Sequence, residues 1–286
     1  MRVLSLFDGM SCGQLALQKA GIKVDKYFAS EIDKHAIRVT QNHFPGTVQL
    51  GDVRGVTPDQ VGKIDLLIGG SPCQGFSFSG KMLNFDDPRS KLFFEYARLL
   101  KELKPKYFLL ENVRMKKESQ DIISECMGVE PIAINSSLVS AQNRYRLYWT
   151  NIPFTMPEDK QIVLSDILED EVDDKYFAGK KLQENYTGGN QLNPNYKSQC
   201  NTIYPIDGKF ATLCAGTHGY SFGYVPFNSK HRKLTPKECE RLQTVPDGYT
   251  NPSLIKRFHI SDTQRYKMLG NGWTIDVIAH IFGGVK

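Results

Sequence analysis

The chain has 286 residues, 40% of them hydrophobic, enough to bury a sizeable core and to argue against global disorder. No apolar run approaches the ~18 residues of a membrane span, and "MRVLSLFDG" lacks the apolar stretch and cleavage site of a signal peptide, so a cytoplasmic location is expected. The net charge of +5 (pI near 8.7) is compatible with nucleic acid without requiring it; six cysteines with no C-x-x-C pair argue against a zinc site, and a reducing compartment argues against disulfides.

In chain order, "RVLSLF" reads as an apolar strand ending in "DGMSCG". "GQLALQKAG" reads as a helix stopped by Gly21. "KYFAS" is a second strand that ends at Glu31, "DKHAIRVTQNHF" a helix, and "TVQLGDV" a third strand. "KIDLLIGG" is the fourth strand and runs directly into "GGSPCQGFS". "SKLFFEYARLLKELKP" is an amphipathic helix closed by Pro105, "KYFLLENV" the fifth strand, and "ESQDIISECMG" a helix. "PIAINSSLV" and "YRLYWTN" are the last strands. Wholly apolar strands alternating with helices predict a largely parallel sheet covered on both faces. Ligands bind such sheets beyond the carboxyl ends of the strands. Asp8 and Gly9, Glu31, Asp52, the Ser71–Ser77 corner, and Glu111 with Asn112 should therefore converge on one rim.

The pattern changes after about Pro153. "LQENYTGGNQLNPNYKSQCNTIYPIDGKF" is rich in Asn, Gly, Gln and Pro, and "FATLCAGTHGYSFGYVPF" is short-stranded with glycine turns, which predicts a small loop-rich β subdomain. Helical order returns at "LTPKECERLQTV", where Thr235, Pro236 and Glu238 form a capping-box start. "TIDVIAHIF" is a final apolar helix.

The first turn, "FDGMSCG", lacks the G-x-G-x-x-G of a dinucleotide site, which disfavours a nicotinamide oxidoreductase. Glu31 at the second strand end can accept ribose hydroxyls, and Asp52 at the third can accept from an adenine amino group. Together they point to an adenosine-containing cofactor without a pyrophosphate; each alone reads as a solvated strand end. Cys73 has two readings, a small apolar filler or a nucleophile displayed on a sharp corner. Glu111, anionic at the end of the fifth strand, has two readings, a strand terminus or a proton donor to a substrate. Arg144 and Arg146, two apart at a strand start, are expected on one face, either a solvated strand face or one supplying positive field to a thiolate.

The set "FDGMSCG", "GGSPCQGFS", "ENV", "QNRYR", "LTPKECERLQ" and "GNGW", in this order, resembles the DNA (cytosine-5)-methyltransferase family over nearly the whole chain. The first motif and "GNGW" are similar to the animal de novo enzymes, whereas "PCQ" is similar to bacterial and phage ones, so the chain reads as a short prokaryotic or phage member. Cys12 and Gly272 depart from the bacterial motifs. Members that methylate tRNA cytosine, the alternative substrate, usually carry a Cys-Phe-Thr tripeptide that does not occur here. A catalytically inactive DNA-binding paralogue is disfavoured by the intact Cys73, Glu111 and Arg144.

The resemblance implies a Rossmann-like S-adenosylmethionine-dependent α/β fold with a mostly parallel seven-stranded sheet and a small β target-recognition subdomain. It implies a catalytic domain over residues 1–153 and 255–286 and recognition by 154–254. It implies that Cys73 adds to cytosine C6, that Glu111 holds N3 and the amino group, and that Arg144, with Arg146 beside it, holds O2. The base must leave the duplex for this to happen. Phe7, Asp8, Gly9, Ser11 and Gly13 are implied at the S-adenosylmethionine site, with Glu31, Ile32, Asp52, Val53, Pro72, Asn271 and Trp273. DNA contacts are implied for Gln74, Ser77 and Ser79 and for Thr217, His218 and Tyr220, with the segment from Gly75 through Asp87 closing as a lid. The implied partner is double-stranded DNA, engaged by a monomer away from any membrane. No metal is implied, and a cognate restriction endonuclease leaves no trace in the sequence.

Overall fold

The computed structural model describes residues 1–71, 91–216, 222–251 and 260–286. Its first half alternates strand and helix: β1 (Arg2–Leu6), α1 (Cys12–Lys19), β2 (Lys26–Ser30), α2 (Lys34–His43), β3 (Val48–Gln49), α3 (Pro58–Val61), β4 (Leu66–Gly70), α4 (Lys91–Leu103), β5 (Tyr107–Val113) and α5 (Lys117–Met127). The hairpin strands β6 (Ile132–Asn135) and β7 (Tyr145–Thr150) follow. Then come α6 (Lys180–Glu184), β8 (Val225–Phe227), β9 (Lys230–Arg232), α7 (Pro236–Leu242), α8 (Asp262–Asn271) and α9 (Ile275–Phe282).

The seven-stranded sheet has the order β3-β2-β1-β4-β5-β7-β6. Its first five strands are parallel, and β7 runs antiparallel to both β5 and β6. This is the mostly parallel α/β sheet expected from the wholly apolar strands. The third strand is shorter than "TVQLGDV" suggested, because only Val48 and Gln49 pair with β2 and Asp52 then begins a 3-10 turn. Leu4, Leu67, Phe93, Tyr96, Leu110 and Trp149 lie in the fully buried core of the sheet and its covering helices. Gly69 suits that packing: a Cβ there would stand 3.0 Å from both the Leu6 carbonyl oxygen and the Tyr96 ring, so a larger residue would push them apart.

The chain divides into two units. The first is Met1–Asn135, Tyr145–Met156 and Ile275–Lys286; the second is Ser136–Arg144 and Pro157–Thr274. Among the described residues, 136–144 and 260–274 fall in the second unit. Within the first unit α9 packs on α1, with Asp276 paired to Lys19.

The second unit carries the two-stranded β8–β9 sheet and α7 and α8. α7 starts as its sequence predicts: the Thr235 hydroxyl accepts from Glu238 N at 3.1 Å, and the Glu238 carboxylate accepts from Thr235 N at 2.7 Å. Glu238 also takes both arms of Arg232, at 2.7 and 2.8 Å, and the pair is entirely shielded from solvent. Removing one member of a buried bidentate pair strands the other charge and costs ~3–5 kcal/mol. Glu238→Ala is therefore expected to lower the free energy of urea unfolding by that order, and a loss under ~1 kcal/mol would show that the pair is dispensable.

Candidate active site

The rim is where the strand order reverses. β1 leads to β2 and β3 on one side, and β4 and β5 continue on the other, so the crevice lies between the carboxyl ends of β1 and β4. Leu6 pairs with Gly69, which makes the loops after β1 and β4 start side by side. Along this edge come Asp52 after β3, Glu31 after β2, Asp8 after β1, Ser71 after β4, and Glu111 on β5, in the convergence expected.

The loop after β1 is tightly wound. Phe7, Gly9 and Ser11 alternate through the left-handed region at φ 57°, 58° and 62°. Non-glycine residues held there cost on the order of 1–3 kcal/mol each and persist where surrounding contacts over-determine them. Asp8 supplies those contacts. Buried at the centre of the loop, it accepts from the Ser11 hydroxyl at 2.5 Å and the Tyr27 hydroxyl at 2.7 Å. Ser11 stands at the N-cap of α1 but makes no side-chain cap hydrogen bond. Burial pushes the Asp8 carboxyl up to about 6 against its hydroxyl donors, with the Glu31 charge adding to the rise.

Glu31 closes the loop from outside. Its carboxylate accepts from Gly9 N (2.7 Å), Ile32 N (2.7 Å) and Asp33 N (2.8 Å). Ile32 is 75% exposed, an apolar side chain presented beside this carboxylate. A Cβ built on Gly9 would meet nothing within 4 Å, so there is open space over the loop. Asp52 caps the turn that begins at the buried Val53 and is clamped by Arg54, whose hydrogen bonds pull its carboxyl down to about 2. Sequence reasoning did not foresee Arg54. Gly13 lies in the buried first turn of α1 beside the buried Cys12. An open loop, two carboxylates at adjacent strand ends and an exposed aliphatic face suit the sugar and base of an adenosine.

On the other side of the crevice, the Asn112 amide donates to the Ser71 hydroxyl at 2.9 Å and anchors the start of the corner. Gly70 pairs with Glu111 across β4 and β5. The register Val113↔Arg146 puts Glu111 and Arg146 on diagonal positions of one face of β5 and β7. Their side chains meet, Arg146 Nε to Glu111 Oε1 at 2.9 Å, and both are largely buried.

The expectation that Arg144 and Arg146 act as a same-face pair is corrected. β7 begins at Tyr145, so strand alternation does not extend to Arg144. The Arg144 guanidinium donates instead to backbone carbonyls within the second unit, those of Leu213 (3.0 Å), Gly270 (3.0 Å) and Gly272 (2.9 Å). There it joins Gln243, which donates to the Leu269 (2.6 Å) and Gly272 (3.1 Å) carbonyls. Gln142 and Thr274 donate in turn to the Gln243 side-chain oxygen, at 3.1 and 2.9 Å. This buried polar network fixes the "GNGW" turn, with exposed Asn271 and buried Trp273 on it. Phe7 through Val53 belong to the first unit, and Asn271 and Trp273 to the second. Cys73, Pro72, Gln74, Ser77 and Ser79, the Gly75–Asp87 stretch, and Thr217, His218 and Tyr220 lie outside the described residues.

The C-5 cytosine-specific DNA methylase family model matches residues 1–127 and 132–286. The chain belongs to that family. It is 32% identical over 303 residues to the type II methyltransferase M1.ScrFI of Lactococcus lactis subsp. cremoris, covering 97% of this chain and 76% of that one. It is 30% identical over 314 residues to the type II methyltransferase M.HhaI of Haemophilus parahaemolyticus, covering 98% and 93%. Its fold is shared with the Entamoeba histolytica methyltransferase EhMeth (TM-score 0.79, 18% identity, 100% and 99% covered) and S. pombe Dnmt2 (0.75, 18%, 99% and 97%). This methylase is an enzyme acting on cytosine, as the sequence resemblance implied.

The methylase keeps Asp8 at a thermodynamic cost with a definite pH signature. The folded state binds this proton more tightly than the unfolded chain, so stability falls as pH rises from the ordinary carboxylate value of 3.8 to about 6. Two pH units correspond to ~3 kcal/mol. Asp8→Asn removes that slope: its urea-unfolding free energy should gain on wild type by up to ~3 kcal/mol between pH 4 and 7. A constant difference across this range would show that Asp8 titrates normally.

Proposed function

We propose that this methylase transfers a methyl group from S-adenosylmethionine to C5 of a flipped-out cytosine in double-stranded DNA through a covalent Cys73–C6 adduct. The observation that carries the reading is the placement of Glu111. It lies opposite Gly70, three residues before Cys73, and is ion-paired to Arg146.

Cytosine C5 is a weak carbon nucleophile. Addition of the Cys73 thiolate to C6, with a proton delivered to N3, turns the ring into an enamine whose electron density lies on C5. Glu111 is the proton donor at N3 and accepts from the exocyclic amine. Arg146 is the arginine that orients Glu111 and faces the pyrimidine O2, the role sequence resemblance had given to Arg144. S-adenosylmethionine supplies an electrophilic sulfonium methyl when bound, held by Glu31, Asp52, Ile32 and the loop from Phe7 to Ser11, with Gly13, Val53, Pro72, Asn271 and Trp273. Loss of the C5 proton to a base then lets the Cys73–C6 bond break, and the thiolate and the double bond are restored. A stacked duplex hides C6 from attack, so the cytosine is extruded first.

DNA recognition falls to the segment after the sheet. Residues 180–233 carry seven Lys and Arg against two Asp and Glu, whereas residues 158–174 carry eight acids against one lysine. The positive segment suits phosphate contacts, and Thr217, His218 and Tyr220 with Gln74, Ser77 and Ser79 are proposed at the DNA. The type II names of the relatives support a place in the modification half of a restriction–modification system, as a cytoplasmic monomer.

With 5-fluorocytosine at the target, fluorine cannot leave C5 as a proton does. A denaturation-resistant protein–DNA band that requires S-adenosylmethionine is expected. Cys73→Ala should abolish the band and methylation, while Cys126→Ala and Cys239→Ala keep both: Cys239 is buried and its burial raises the thiol well away from thiolate character, and Cys126 sits exposed on α5 with its thiol raised too, by desolvation and the neighbouring Glu125 charge. Trapping on tRNA but on no duplex would reassign the substrate, and normal methylation by Cys73→Ala would make the corner structural.

The arginine assignment is separable. Arg146→Ala should lower kcat by about 10²-fold, the scale of one lost electrostatic stabiliser, with S-adenosylmethionine affinity retained. Arg144→Ala should instead lower unfolding free energy by ~3 kcal/mol, because buried carbonyls lose a charged donor. The reverse pattern would return catalysis to Arg144.

A further inference from the structure

The loop after β1 is fixed by a chain of buried side-chain hydrogen bonds that starts on a strand outside it. Tyr27, on β2 and 3% exposed, donates its hydroxyl to Asp8 Oδ1 at 2.7 Å. The Ser11 hydroxyl donates to Asp8 Oδ2. Gln14, on α1, donates one amide nitrogen to the Ser11 hydroxyl (3.0 Å) and to the Thr47 hydroxyl (2.8 Å). The chain thus runs from β2 through the loop to the residue before β3. The alternating left-handed conformations of Phe7, Gly9 and Ser11 sit at its centre, where Asp8 is the one anionic member. We propose that Tyr27 is a positioning residue of the cofactor loop, acting through Asp8 and Ser11 to hold the backbone that S-adenosylmethionine approaches. This rests on the cofactor reading above.

The physical reason is the geometry of a carboxylate. Ionised, Asp8 offers acceptors to two hydroxyls at once and so fixes both the β2 side and the α1 side of the loop. Protonated, it becomes a donor on one oxygen and must release or reverse one of these bonds. Other groups facing it are the Ser5 hydroxyl from β1 and the Glu31 charge from the end of β2. Glu31 disfavours the ionised form, and the three hydroxyls of Ser5, Ser11 and Tyr27 favour it against burial. Cofactor affinity should therefore fall as pH drops through the Asp8 titration. Loss of the Tyr27 hydroxyl removes a donor that stabilises the carboxylate, so the fall should begin at higher pH.

The test is calorimetric titration of the full-length protein with S-adenosylmethionine, and with S-adenosylhomocysteine, which lacks the sulfonium charge, from pH 5.5 to 8.5. Wild type should bind both more weakly below about pH 6. Tyr27→Phe should bind about tenfold more weakly at pH 7, the scale of one hydrogen bond to a charged group, with its midpoint moved to higher pH. Asp8→Asn should be weak and flat across the range. Tyr96→Phe is the control: that phenol is also buried in the first unit, donating to the Leu67 carbonyl at 3.2 Å, and its loss should leave the midpoint in place. A Tyr27→Phe midpoint identical to wild type, or an equal shift in Tyr96→Phe, would overturn the relay. Wild type that binds neither ligand would instead overturn the cofactor reading, and the relay's purpose with it. A pH fall seen with S-adenosylmethionine alone would show that Asp8 acts on the ligand's charge rather than on the loop.

Discussion

The reversal of strand order between β1 and β4 is the constraint on which the site depends. A parallel strand delivers its chain to one edge only, and neighbours that lead in opposite directions leave their following loops parted. The pairing of Leu6 with Gly69 sets where the two loops begin, and a glycine fits it closely, because a Cβ at Gly69 would crowd Tyr96 and the Leu6 carbonyl at 3.0 Å. From this register, Gly70 comes to lie opposite Glu111, and Arg146 comes to the diagonal position beside it. A one-residue slip in any of these pairings would turn Glu111 to the other face of the sheet and dissolve the ion pair.

What was legible in the sequence follows from which forces are local. Strands buried on both faces need apolar residues throughout, and β1, β2 and β5 were read at nearly their observed lengths for that reason. The α7 start was legible because a capping box satisfies its orphan amides within four residues. α8 was missed although Ser261 caps it, because its buried residues include Arg265 and Gly270 beside Tyr266, Met268 and Leu269, which blurs any single apolar stripe. Arg265 is buried to serve Glu240 and Thr250, partners that no periodicity reveals.

The site shows the same division. The rim positions of Glu31, Asp52 and Glu111 were legible because each lies at or near the carboxyl end of a strand, and strand ends can be counted along the sequence. Arg144 and Arg146 were read as a same-face pair because spacing of two implies one face only inside a strand, and the strand starts between them. The correct distinction is tertiary: one guanidinium meets a carboxylate and the other meets three carbonyls. Asp8 was legible as a strand-end residue on the rim, and only its place at the cofactor came from resemblance. Its burial, its Tyr27 partner and the left-handed residues around it arise from packing between β1, β2 and α1.

These costs are concentrated rather than scattered. Left-handed Phe7 and Ser11 and a carboxyl displaced to about 6 all occur within five residues at the crevice, while the strands behind them are apolar and regular. Strain persists only where its surroundings over-determine it. Here Tyr27 and Glu31 from β2 and its end, Gln14 from α1 and Thr40 from α2 all reach the loop: Thr40 donates to the Gly9 carbonyl at 3.4 Å, and Glu31 accepts from the Gly9 amide. A loop that merely joined β1 to α1 would need none of these. A loop that must hold its backbone open against a ligand does, because flexibility there would have to be frozen out at each binding event. The buried acid and the strained residues are thus two parts of one arrangement in which the loop is ordered on folding, so that the cofactor proposed for it would meet a fixed surface.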